Sequence, residues 1–136
     1  MIQRIQSIWF LLASACSFLS LVMPFYIGTT TDGKKSYQLD GMENIYFILL
    51  TCVVGAVSFI TIFLFKKRRR QVRLAVVNIM FEIVLILLYS LQVKEFIEGT
   101  YALSALLQAA VLFFLLLALR GIGKDIKVIR SSDRLR

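Results

Sequence analysis

Four apolar runs, residues 8–26, 45–65, 74–91 and 101–119, alternate with short polar stretches along the chain. Each is close to the ~20 residues that an α-helix needs to cross ~30 Å of hydrocarbon. Backbone groups in lipid must be paired within their own segment, so such runs are expected to be helical. The pattern predicts an all-α fold: a four-helix transmembrane bundle forming one integral membrane domain over residues 1–136, with a short outer hairpin-like loop and a basic cytoplasmic tail. The longest connection, 27–44, is far too short to be a soluble domain.

The connections add detail. In "IGTTTDGKKSYQLDGMEN" the β-branched residues at 29–31, the Asp32-Gly33 pair, the run at 34–39 and a second turn signal at Asp40-Gly41 predict a two-stranded hairpin, stable only if it rests on the bundle. Pro24 should end or bend the first helix, with Trp9 and Tyr26 as interfacial anchors at its two ends. The tail "RGIGKDIKVIRSSDRLR" sets Ile122, Ile126 and Ile129 at helical spacing. Two forms fit it: a short amphipathic helix lying along the inner leaflet, or a frayed and solvated segment. The start "MIQRIQSIWFLLASAC" has features of a cleaved signal, but its apolar run before Ala13 is short and continues to Val22, so a first span is expected instead.

Composition agrees with a membrane protein: 59% of residues are hydrophobic and the mean hydropathy is +0.80. The net charge of +8 would by itself suit a nucleic-acid ligand. Its placement argues otherwise. Of the 16 Lys and Arg, thirteen fall before the first run, in 66–73 and after 119, and three fall in the other two connections. By the positive-inside rule both termini and the 66–73 loop are expected to be cytoplasmic, with 27–44 and 92–100 facing outward. The basic surface of Lys66, Lys67, Arg68, Arg69, Arg70, Arg73, Arg134 and Arg136 is expected to meet anionic lipid headgroups or a partner protein, not nucleic acid. Histidine is absent, and Cys16 and Cys52 have no metal spacing, so no metal site or cofactor is expected.

The candidate chemistry lies within the apolar runs. Glu82 in "NIMFEIVLILLY" lies ~12 Å into its span at a ~1.5 Å rise per residue. A carboxylate at that depth should face the bundle and be neutral or paired with a donor. Asn78 is one turn away on the same face. By depth, Ser14 and Ser17 of the first span and Ser58 of the second are its expected partners, with Gln108 of the fourth somewhat further out. Asn78, Glu82, Gln108, Ser17 and Ser58 are thus read as one intramembrane polar cluster, either interhelical glue or a proton or cation site. Small residues four apart (Ala13 and Ser17, Thr51 and Gly55, Ala105 and Ala109) favour close helix packing, within the chain or by self-association.

The opening "MIQRIQSIW", the central "KKRRRQVRLAVVNI" and the closing "RGIGKDIKVIRSSDRLR" resemble a family of small four-helix membrane proteins of the Bacteroidota, known as a domain of unknown function. The resemblance covers essentially the whole chain. It implies the same topology and an inner-membrane location, and carries over no catalytic residue. The functional expectation is a non-enzymatic accessory or scaffold subunit of a membrane complex. The alternative is a small proton- or cation-coupled transporter or channel using Glu82.

Overall fold

The computed structural model describes residues 2–30, 32–33, 36–64 and 67–133. Helix α1 (Ile2–Val22) leads into strand β1 (Pro24–Thr30) and strand β2 (Tyr37–Asp40), followed by helices α2 (Ile45–Phe63) and α3 (Arg68–Val93), strand β3 (Phe96–Tyr101) and helix α4 (Leu103–Asp133). All four helices are long and apolar enough to cross a membrane. They form a closed ring in which α1 and α3 each pack against both α2 and α4.

The fold is not all-α. A three-stranded antiparallel sheet, ordered β2-β1-β3, caps one end of the bundle. The expected hairpin is present, with Gly33 at φ +79 in its turn, a region that a side chain would disfavour. Its hydrophobic side packs on the bundle, where Phe25 and Leu39 join Phe47, Leu85 and Tyr89 in a buried cluster. Strand β3 was not foreseen in what read as a polar joint. It pairs with β1 from Tyr26↔Tyr101 to Thr30↔Phe96, with Gly28 opposite Gly99.

Helix ends also differ from the hydropathy reading. Helix α1 stops at Val22, because Pro24 disfavours helical backbone at the residue before it. Tyr26 is therefore no anchor at a helix end but a buried residue of β1. Helix α3 begins within the basic cluster, since arginine is a good helix former. Helix α4 runs unbroken for 31 residues, which replaces both readings of the tail: no separate helix lies along a leaflet, and the segment to Asp133 is not frayed.

The buried positions explain how these helices meet. They recur at alternating steps of four and three: Gln6, Phe10, Ala13, Ser17 and Ser20 on α1; Phe47, Thr51, Val54, Ser58 and Thr61 on α2; Gln71, Ala75, Asn78, Glu82, Leu85 and Tyr89 on α3; Ser104, Gln108, Val111, Leu115, Ala118, Ile122 and Asp125 on α4. This is the seam of a coiled-coil-like bundle. Polar side chains of the spans concentrate on that seam, while Leu11, Phe18, Leu49, Phe59, Val77, Leu87, Leu106 and Phe113 face outward. A soluble bundle has the reverse arrangement. The distribution suits a lipid surround.

Candidate functional site

Two apolar clusters divide the bundle interior. One, with Leu39, Phe47, Leu85 and Tyr89, lies under the sheet. The other, with Phe10, Ala13, Val54, Ala75, Val111, Leu115, Ala118 and Ile122, fills the opposite half. Between them the seam is polar on every helix: Ser17 and Ser20, Thr51, Asn78 and Glu82, then Ser104 and Gln108, each at most 1% exposed.

Most of this layer is interhelical glue. Ser17 donates to the Thr51 carbonyl (3.1 Å) and Ser14 to the Gly55 carbonyl (3.0 Å), joining α1 to α2. Asn78 donates from its amide nitrogen to the Ser58 hydroxyl (2.7 Å) and the Val54 carbonyl (3.2 Å), joining α3 to α2. Gln108 donates to the Ser20 hydroxyl (3.0 Å), and Ser104 to the Ser20 carbonyl (3.1 Å), joining α4 to α1. Close approach depends on the small residues, with a Cβ at Gly55 falling 2.8 Å from the Phe18 ring. The pairs Ala13 with Ser17 and Thr51 with Gly55 are thus spent inside the chain. Ala109, by contrast, is exposed.

Glu82 is different. It is fully buried, and neither carboxyl oxygen has a hydrogen-bond partner. The expected contact with Ser14, Ser17, Ser58 or Gln108 is not made, because each of the serines is engaged elsewhere and Gln108 turns its amide nitrogen to Ser20. What remains unpartnered in the layer is a set of acceptors and hydroxyls: both Glu82 oxygens, Asn78 Oδ1, Gln108 Oε1 and Thr51 Oγ1. The amide donors are used and their carbonyl oxygens are not. Among the described residues such a layer holds no positive charge, and the Thr51 hydroxyl is its one unengaged side-chain donor.

Sequence reasoning did not single out Tyr89, which is also fully buried, with its hydroxyl unpartnered. Its spacing from Asn78 and Glu82, seven after Glu82 and eleven after Asn78, was the available signal, since it continues their helix face. Thr51 and Ser20 were likewise missed as members of this layer.

The basic positions gather at the far end. Lys67, Arg69, Arg70 and Arg73 are exposed and, with Arg68 and Ile129, line a groove of about 500 Å³ at the start of α3. Arg68 is tied down: its guanidinium pairs with Asp125, which also accepts a hydrogen bond from the Gln6 amide and is 6% exposed. This pin joins α1, α3 and α4. Asp125→Asn should cost about 1 to 3 kcal/mol, as expected for bonds to a charged group. Thermal unfolding in mild detergent would check it. Lys66, Arg134 and Arg136 lie outside the described residues.

A second groove, about 580 Å³, runs on the outside between α2 and α3 along Tyr46, Leu49, Leu50 and Leu88, closed at one end by an Asn44 to Gln92 hydrogen bond (3.3 Å). Its walls are apolar. Among the described residues no three His, Cys, Asp or Glu side chains group to hold a metal ion.

A family model described as a domain of unknown function (DUF4293) matches residues 2–135. No curated protein and no solved structure matches the chain.

Proposed function

The chain belongs to this family, a domain of unknown function (DUF4293), and from that premise we propose a non-enzymatic, multi-pass membrane protein that carries a proton or small cation on Glu82 as part of coupled transport. One observation carries the reading: both Glu82 oxygens are buried without a donor, in a layer whose other free groups are acceptors and hydroxyls. An ionised carboxylate in such surroundings costs several kcal/mol unless a positive charge accompanies it. Interhelical glue does not need one. Asn78 and Gln108 already bridge the helices through their amides, so a glutamate retained beside them points to exchange of a charge.

We place the protein in the inner, cytoplasmic membrane of a bacterium of the Bacteroidota, as the likeness at its two ends implies. Charge supports the orientation. Asp32, Asp40, Glu43, Glu95 and Glu98 lie in or beside the sheet, whereas Lys67, Arg69, Arg70 and Arg73 lie at the other end. The positive-inside rule then turns the basic end, with both chain ends, to the cytoplasm and the sheet to the periplasm.

The experiment is flux in reconstituted vesicles. Under an imposed potential, wild-type protein should acidify the lumen, or move a cation, at a rate that falls at least tenfold in Glu82→Gln, which preserves size and hydrogen bonding. Equal flux in both proteins would refute the transport reading.

The exposed cations of the α3 groove favour a second reading, an accessory or scaffold subunit. Among the described side chains of that end, Asp125 is the one acid, and it is held by Arg68 and Gln6. Anionic lipid headgroups or an acidic patch on a neighbouring inner-membrane protein would neutralise the rest. Crosslinking in native membranes tests this: a reproducible neighbour attached through residues 67–73 supports it, and a particle without one refutes it.

A further inference from the structure

The cationic groove at the start of α3 shares a wall with a smaller one. Arg70 and Arg73, both exposed, line the groove of about 500 Å³ together with Lys67, Arg68, Arg69 and Ile129. They also line a groove of about 270 Å³ whose other walls are Leu64 and Leu74. One groove is thus cationic and the other half apolar, and the same two guanidinium groups border both.

The apolar side continues along the helix. Arg70, Leu74, Val77 and Phe81 follow one another at steps of four, three and four, which sets them on one face of α3. Val77 and Phe81 are exposed on it. From Arg70 to Leu74 is a rise of only ~6 Å at ~1.5 Å per residue. The face therefore passes from charge to hydrocarbon within about the distance between a lipid phosphate and the start of its acyl chains.

The cations are poorly placed for the stability of α3 alone. The helix has no acidic residue in its first turn and no side-chain cap. Positive side chains beside the positive end of a helix dipole are unfavourable. Lys67, Arg69, Arg70 and Arg73 have no ion pair among the described side chains, and Asp125 is already engaged by Arg68 and Gln6. An anion seated among them would relieve both repulsions. Topology alone does not require this convergence: Arg120, Lys124, Lys127 and Arg130 of α4 also serve the positive-inside rule, and they line neither groove.

We propose that the paired grooves bind one anionic diacyl phospholipid of the cytoplasmic leaflet. Its phosphate lies between Arg70 and Arg73, its headgroup extends into the cationic groove, and an acyl chain runs past Leu64, Leu74, Val77 and Phe81. The proposal rests on the second reading above, in which anionic groups neutralise this end, and is independent of Glu82. Guanidinium groups suit the phosphate because their forked N–H donors match its oxygens. An acidic protein segment or a free phosphate compound would satisfy the charges but leave the leucines without a partner. A phospholipid uses both grooves.

The test titrates the full-length protein in mild detergent with dioleoyl phosphatidylglycerol and counts bound lipid by native mass spectrometry. Arg70→Gln combined with Arg73→Gln should weaken the first binding step about tenfold or more. Lys124→Gln combined with Lys127→Gln, the same charge change outside both grooves, should leave it nearly unchanged. All four residues are exposed, and equal unfolding temperatures in lipid-free detergent show that the variants are folded. In the wild type alone, saturating lipid should raise that temperature, since a ligand of the folded state stabilises it. Equal losses in the two double variants would overturn the groove in favour of diffuse surface charge. Displacement of the lipid by glycerophosphoglycerol or inorganic phosphate at equal concentration would overturn the lipid in favour of a free phosphate compound. In native membranes a photoreactive side chain in place of Leu74 should capture phospholipid. Capture of a protein there instead would overturn the lipid and leave the accessory reading standing, whereas captured phospholipid with no reproducible protein neighbour would support the site and refute the scaffold.

Discussion

Glu82→Leu should yield a more stable protein that has lost its activity. Leucine has a similar volume, fits the seam and needs no partner, so the variant removes two buried acceptors that nothing satisfies. The neighbouring bonds are untouched, because Asn78 donates to Ser58 and Val54, and Gln108 to Ser20. Exchange of a buried ionic group for a well-packed apolar one is commonly neutral or stabilising by about 1 to 4 kcal/mol. Thermal unfolding in mild detergent, read beside vesicle flux, measures both effects. A loss of stability of about 0.6 to 2 kcal/mol, the range for interhelical polar contacts, would instead mark Glu82 as glue. A gain accompanied by lost flux is the pattern of a site maintained for function at the expense of stability.

Gly28→Val should detach β3 from the sheet. A Cβ at Gly28 would lie 2.2 Å from the Glu98 carbonyl oxygen and 2.9 Å from the Gly99 Cα, both backbone atoms that no rotamer change can move. Gly99 is equally confined, with a Cβ falling 2.5 Å from the Ile27 carbonyl oxygen. The two glycines face each other in the register, so the central strand and its partner meet backbone to backbone. Overpacking alone costs about 1 to 3 kcal/mol, and here the ladder itself must open. Hydrogen exchange should quicken several-fold over residues 96–101 while the amides of α1 to α4 keep their protection. Unchanged exchange there would show that the ladder accommodates the new side chain without opening.

Hydropathy located the four helices because lipid-facing surface must be apolar whatever lies inside. The same uniformity hid which face was inward. Polar exceptions disclosed it: Ser17, Ser58, Asn78, Glu82 and Gln108, singled out as intramembrane polar residues, all turn to the bundle seam. Their partners could not be read by depth alone. Ser14 and Ser17 bond to backbone carbonyls of α2, and Ser58 accepts from the Asn78 amide, pairings that sequence spacing does not reveal. Helix ends were misjudged where the helix outlasts the apolar run, as α4 does when Asp125 docks on Gln6, 119 positions away. Strand β3 escaped for a related reason. Its Glu98 and Gly99 resemble a loop locally, and its pairing partner lies some seventy residues earlier.

The length of α4 has a mechanical implication. At ~1.5 Å per residue its 31 residues extend ~46 Å, well beyond a ~30 Å hydrocarbon slab. With its start fixed beneath the sheet, the surplus stands out as a post some three turns high, braced near its base by the pin to the two neighbouring helices. That length sets the reach of the basic residues Lys124, Lys127 and Arg130, which are carried on a rigid extension of the bundle and not on a tether.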